Sequence, residues 1–282
     1  MRVLNQTQNW FTLKRNITGV DIMNANSRNG INWSHDEVVF ALGLYFQIPW
    51  GKINQNNPAI IRASRLLGRT PGSLGRKMGN LGRFDSTLAA RGVGGLKNGA
   101  KMDEIVWNEF VDRREALAAE YVRIRSELED GEPVLEDDQL IKTPPGLEGE
   151  RLAHYRINQS FFRKSVMSAY DNECCITGIN DCRLLIASHI KPWSDCETGE
   201  ERTKAENGLC LNSLHDRAFD KGLITLDENL CVVNSRSLRD AVKRDVYETF
   251  FGHYEGAHIN LPARGRPAPE FLDYHRNNIF VE

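Results

Sequence analysis

The segment that most limits what this chain can fold into is Arg183-Leu184-Leu185-Ile186-Ala187-Ser188-His189-Ile190, closed two residues later by Pro192. A short apolar run that ends in proline reads as a buried strand. His189 therefore stands at the strand's end, where a side chain leaves the core and faces a site. A loop rich in Asp, Glu, Thr and Gly follows, and Asn207-Gly208 then turns the chain into a second apolar segment that ends in His215-Asp216. Asp227-Glu228-Asn229 separates Leu223–Leu226 from Leu230–Val233, which predicts a hairpin.

These residue types suit metal-assisted hydrolysis. A neutral imidazole with an ordinary pKa of ~6.5 can take a proton from water. A carboxylate beside an imidazole can hold a divalent cation that stays partly open to phosphate oxygens. An asparagine amide can bond backbone on both sides of a loop and keep strand and helix at a fixed distance. Taken singly, each feature has a plainer reading: a strand-end histidine as a packing residue, Asn-Gly as a turn. Their order and spacing together favour the catalytic one.

The pattern resembles the HNH endonucleases, in a subgroup common among bacterial restriction-type enzymes. It is carried by Cys175-Ile176-Thr177-Gly178, Ser188-His189-Ile190-Lys191-Pro192-Trp193, Asn207-Gly208-Leu209 and Phe219-Asp220-Lys221-Gly222. The resemblance implies a ββα-metal fold, one divalent ion (Mg²⁺ or Mn²⁺), and cleavage of phosphodiester bonds in DNA. It places His189 as general base and Asn207 as the middle asparagine. The last family ligand falls on Asp216 by spacing but on the neighbouring His215 by residue type, and the assignment stays open between them. Where many relatives carry a ligand just before the general base, this chain has Ser188, so water or a more distant carboxylate must complete the shell.

Length and charge frame the rest. A chain of 282 residues with 40% hydrophobic content can bury two cores. A net charge of −2 means that nucleic acid must be met by local patches. The six cysteines form no C-x-x-C pair, which argues against zinc knuckles and suits a reduced, cytoplasmic protein. No signal-like or membrane-length apolar stretch is present, so no membrane partner is expected.

Residues 1–32 read as an Asn-rich arm. Ser34-His35-Asp36-Glu37 is a capping box for a helix with Val38, Val39, Leu42 and Tyr45 on its apolar face. Asn57-Pro58 and Thr70-Pro71 each open a further short helix, and the pair joined at Gly68-Arg69 resembles a helix-turn-helix. Between Ile60 and Lys101 nine Lys/Arg face one acid, Asp85, giving a local +8 in a chain that nets −2. Glycines 72, 75, 79 and 82 share one face of the second helix, bare enough for close approach by a phosphate backbone or by another helix. Lys101 opens a long helix to about Leu128, and an acidic, proline-bearing linker leads into a helix around Phe161-Phe162-Arg163-Lys164. Ser237–Phe251 reads as one more helix, and His275 near the C-terminus as a packing residue.

The expected architecture is α+β: an arm (1–32), a helical, basic DNA-binding-like domain with a helix-turn-helix-like segment (33–128), a linker (129–150), and a ββα-metal HNH nuclease domain (151–282). The expected function is a metal-dependent DNA endonuclease in bacterial restriction or phage defence. His189 and Asn207 are the catalytic candidates, and Asp216 and His215 the metal candidates. Arg69, Arg76, Lys77, Arg163 and Lys191 are the nucleic-acid contacts. A non-catalytic DNA-binding regulator with a degenerate site and an RNA-directed nuclease are the rival readings. DNA is the expected partner, and a homodimer is compatible with the sequence.

Overall fold

The structure, a computed structural model, describes residues 28, 30–93, 100–129, 146 and 148–282. Most of the arm and of the acidic linker, and Lys97 of the basic block, lie outside these residues.

Local signals set the first helices. Helix α1 (His35–Gln47) begins at the capping box: Ser34 Oγ accepts from Glu37 N, and the Glu37 carboxylate accepts from Ser34 N. Helices α2 (Pro58–Leu66) and α3 (Pro71–Leu81) start with proline at the first turn behind the Asn57 and Thr70 caps. The glycine face of α3 is not one continuous contact. A Cβ at Gly82 would fall 2.6 Å from the Trp50 ring, whereas one at Gly79 would meet nothing within 4 Å. Tight packing therefore accounts for Gly82 and not for Gly79.

After the short α4 (Ser86–Ala90), the expected long helix is two: α5 (Lys101–Phe110) and α6 (Arg114–Glu129). Both pack on α1, burying Val106, Trp107 and Phe110 from one and Leu117, Ala118 and Tyr121 from the other. One straight helix could not lay both faces on the same neighbour, and the chain turns at Val111-Asp112-Arg113.

Helix α7 (Gly149–Ala169) joins the two halves. Its Phe161 belongs to the core built by α1–α6, while the adjacent Phe162, with Val166 and Met167, belongs to the second core. The second core gathers on β1 (Leu185–His189) and β2 (Gly208–Asn212), an antiparallel pair running from Leu185↔Asn212 to His189↔Gly208. The five-residue α8 (Gly199–Thr203) lies in the loop between them, and α9 (Ser213–Asp220) follows β2 directly. The predicted hairpin is present as β3 (Ile224–Leu226) and β4 (Val232–Asn234). The single helix expected over 237–251 divides into α10 (Arg236–Ala241) and α11 (Arg244–Phe250), so that Leu238 and Tyr247 both reach the core. Helix α12 (Pro269–Asn278) closes the chain and buries His275, bonded to Thr225 and to the Phe219 carbonyl.

The halves are also joined by polar contacts. The Arg264 guanidinium donates to the carbonyls of Tyr45 (2.5 Å) and Ile48 (2.7 Å) and to Ser168 Oγ (3.1 Å). Ser168 in turn donates to the Phe46 carbonyl. A shared helix and a buried arginine thus bridge the two cores. No helix among the described residues is long and apolar enough to cross a membrane.

Candidate active site

His189 ends β1, as the apolar run predicted. Its ring stacks on Phe162 at 3.6 Å and 15°, and the Trp193 ring meets it edge-on at 5.7 Å. The close approach of β2 to α7 depends on Gly208, where a Cβ would lie 2.3 Å from Val166 and 3.0 Å from Phe162. His189 Nε2 lies 3.0 Å from the Arg202 carbonyl oxygen, which can only accept. The proton therefore sits on Nε2, and Nδ1 is the basic nitrogen. Dense packing lowers the pKa to about 4, only partly opposed by the Arg202 carbonyl. The ring is neutral at pH 7, the form a general base requires.

Asn207 is fully buried and clamps the loop that carries His189. Its Oδ1 accepts from Lys191 N (2.8 Å), while Nδ2 donates to the carbonyls of Glu201 (2.9 Å) and Lys191 (3.2 Å). The backbone adds Ile190 N to the Asn207 carbonyl at 3.0 Å. These bonds hold the segment after β1 and the segment before β2 at a set distance, and all three side-chain bonds go to main-chain atoms.

Asn212, which the sequence reading passed over, caps α9. Its Oδ1 accepts from Leu214 N and His215 N, and its Nδ2 lies 3.1 Å from Thr177 Oγ1 and 3.0 Å from His215 Nδ1. With Oδ1 engaged by two backbone N–H groups, Nδ2 donates to His215 Nδ1 and leaves that proton on Nε2. The His215 ring is buried beside Phe251 and Tyr254, each at 5.5 Å. Burial lowers its pKa, with the Phe250 carbonyl pulling the other way. Nδ1 is thus taken by Asn212, and Nε2 is shut away from water. Asp216, one position on in the first turn of α9, is half-buried and points away from that aromatic pocket by the helical step of about 100°.

Among the described residues no three His, Cys, Asp or Glu side chains stand together as a metal cluster. Magnesium does not need one, since it keeps several waters and uses one or two carboxylates plus substrate phosphate. His215, with Nδ1 bonded and Nε2 enclosed, does not suit such an ion, whereas Asp216 is a half-buried carboxylate of the donor type it uses.

The basic candidates divide. Arg69 is buried, pairs with Glu37 (2.8 Å) and donates to the carbonyls of Arg28, Ile31 and Asn32. Lys77 is buried against Asp103 at 2.5 Å. Lys191 is nearly buried and pairs with Glu201 at 2.9 Å. Arg163 donates to the carbonyls of Leu185 (3.1 Å) and Cys182 (3.4 Å), bracing the entry to β1. All four expected nucleic-acid contacts thus have partners within the protein, Arg69 and Lys77 in buried ion pairs. Of the five, Arg76 stands exposed, and Arg62 and Arg65 on α2 stand exposed with it. Sequence reasoning also missed Arg202, whose contribution is a main-chain carbonyl, and Phe162, whose stacking partner lies far along the chain.

The motif residues match a known family. Residues 174–227 match the family model for HNH endonucleases, HNH_2. The HNH segment thus includes His189, Asn207 and Asp216 together with the Cys175-Ile176-Thr177-Gly178 turn. No curated protein matches the chain. Three chains of solved structures match, among them a modification-dependent TagI restriction endonuclease, at 20% identity and a TM-score of 0.30. That match covers 43% of this chain and 39% of the TagI chain, so the chain spans well under two thirds of that protein.

Proposed function

We propose that the protein is a metal-dependent endonuclease acting on DNA, with His189 as general base. The observation that carries this reading is the His189 ring, neutral and oriented by the Arg202 carbonyl, within a segment that matches the HNH endonucleases. His189 Nδ1 takes a proton from water, and the water oxygen attacks phosphorus in line with the departing oxygen. Asn207 keeps the His189 loop in place during the step. Asp216 would hold the divalent cation, which supplies charge neutralisation at the phosphate oxygens.

In this proposal the helix-turn-helix-like pair α2–α3 presents Arg62, Arg65 and Arg76 to the DNA backbone, and Arg69 and Lys77 hold that pair to the rest of the helical block. We assign the setting to restriction or phage defence, in keeping with the resemblance. The test is incubation of the purified protein with methylated and unmodified plasmid, in Mg²⁺, Mn²⁺ or EDTA, beside His189→Ala. Nicking or linearisation by the parent with metal, lost in His189→Ala, supports the reading. Equal cleavage by both proteins would overturn the role of His189.

A further inference from the structure

Beside Trp193 the surface opens into a cleft of about 710 Å³. Its walls include Glu115, Arg151, Tyr155, Asn158, Trp193 and Arg202. It adjoins the candidate active site, because Trp193 meets the His189 ring and Arg202 supplies the carbonyl that orients it.

Two features of the wall are selective. Tyr155 and Trp193, both half-exposed, meet at 5.0 Å and 69°, forming an aromatic corner, and the Arg202 guanidinium stands 5.5 Å from the Trp193 ring. The second feature is Asn158, almost fully buried. Its Nδ2 donates to Glu115 Oε1 at 2.7 Å. A carboxylate only accepts, so this bond fixes the amide and turns Oδ1 the other way. Asn158 Oδ1 has no hydrogen-bond partner and is shielded from water. A buried acceptor left unpaired is costly and asks for a donor. Tyr155 precedes Asn158 by three positions on α7 and so neighbours it on the same face. Both residues line the cleft.

An aromatic corner, an unpaired amide oxygen and an exposed arginine, Arg151, at the rim match one nucleotide with its base out of the stack. We propose that the cleft binds a single unpaired nucleobase of the DNA through an exocyclic amino group, donated to Asn158 Oδ1, with the base packed on Tyr155 and Trp193. The Glu115 carboxylate on the same wall repels a base edge that offers carbonyls around its donor. Adenine and cytosine are therefore accepted and thymine is disfavoured. This proposal rests on the nuclease reading and names a specificity determinant for it.

The test uses the full chain in EDTA and fluorescent duplexes carrying one unpaired A, C or T, one abasic bulge, or no bulge. The parent is expected to bind the A and C bulges about tenfold tighter than the T, abasic and fully paired duplexes. Asn158→Leu should erase the difference between A and T while keeping the general affinity for duplex. Tyr155→Ala, on the half-exposed wall, should weaken the A and C bulges to the level of the abasic one. Equal affinity of the parent for every duplex overturns the proposal, as does an A-over-T preference that persists in folded Asn158→Leu. Plasmid cleavage by the same preparation with metal separates the two readings: cleavage without bulge preference removes the cleft's role alone, whereas neither cleavage nor DNA binding removes both.

Discussion

His189 Nε2 donates to the Arg202 carbonyl oxygen across 3.0 Å, and that bond decides which ring nitrogen can act as a base. Because the partner is main chain, a side-chain substitution at position 202 leaves the carbonyl in place. Replacing His189 removes the base itself. His189→Ala is expected to lower turnover by about 10²–10⁴-fold with the helical content unchanged, as read from single-turnover cleavage and circular dichroism.

The lowered pKa of His189 has a sign that can be measured. With a folded value of about 4, the ring stays neutral well below the usual histidine range. The rate due to this base should be flat from pH 8 down to about pH 5 and fall as pH drops through about 4. Folding stability runs the same way: below ~6.5 the unfolded chain binds a proton that the folded chain excludes, so stability falls as pH is lowered from that point. A cleavage profile whose acid limb lies at 6.5 would place His189 in a more open, hydrated setting.

His215 and Asp216 are neighbours in sequence with opposite surroundings. Asp216→Ala should raise the metal concentration needed for half-maximal cleavage at least tenfold while shifting the melting temperature little. His215→Ala should leave the metal requirement near the parental value and destabilise the fold by about 2 kcal/mol through loss of a buried, hydrogen-bonded ring. Metal titrations and thermal melts of both variants check the pair. The reverse pattern would return the ligand to His215.

Loss of the Asn207 amide should weaken the loop clamp. Asn207→Ala strands the Lys191 N–H and the Glu201 carbonyl, and is expected to cost about 1–3 kcal/mol for each group left buried and unpaired. Denaturant unfolding would show this, and cleavage should fall with kcat more than with KM, because the base is displaced and not the substrate.

The basic block should respond by position. Replacing Arg62, Arg65 and Arg76 together with Gln should lower the slope of log affinity against log salt by roughly 0.9 for each phosphate no longer neutralised, with stability little changed. Lys77→Met should instead cost about 3–5 kcal/mol, since it leaves the Asp103 carboxylate buried without its cation. Filter binding over a salt series, beside thermal melts, separates the two classes.

Local chemistry made much of this legible. The capping box at Ser34, the cap-proline pairs at Asn57 and Thr70, the proline-stopped strand ending at His189 and the Asp227 turn all depend on neighbouring residues, and each is found where the sequence put it. Contacts distant along the chain were not legible. Lys77 and Asp103 are 26 residues apart, and Arg69 and Glu37 are 32 apart. A count of basic residues therefore could not tell the two buried ion pairs from the exposed Arg62, Arg65 and Arg76. The helix break at Val111-Asp112-Arg113 has no proline or glycine to announce it and follows from packing on α1. The role of Arg202 lies in its backbone, which residue identity cannot signal.

Helix α7 inserts consecutive phenylalanines, Phe161 and Phe162, into different cores, and this has a consequence for how the protein can be taken apart or recombined. A nuclease module cut out at the motif boundary, Cys174, leaves behind the Phe162 and Val166 side chains against which His189 and Gly208 are packed. A module cut at the linker keeps them but carries the bare Phe161 face into water. Exchange of the HNH segment between chains therefore succeeds only when the graft brings both sides of α7 with it. The helix works as a hinge pin driven through two plates, and neither plate is a spare part.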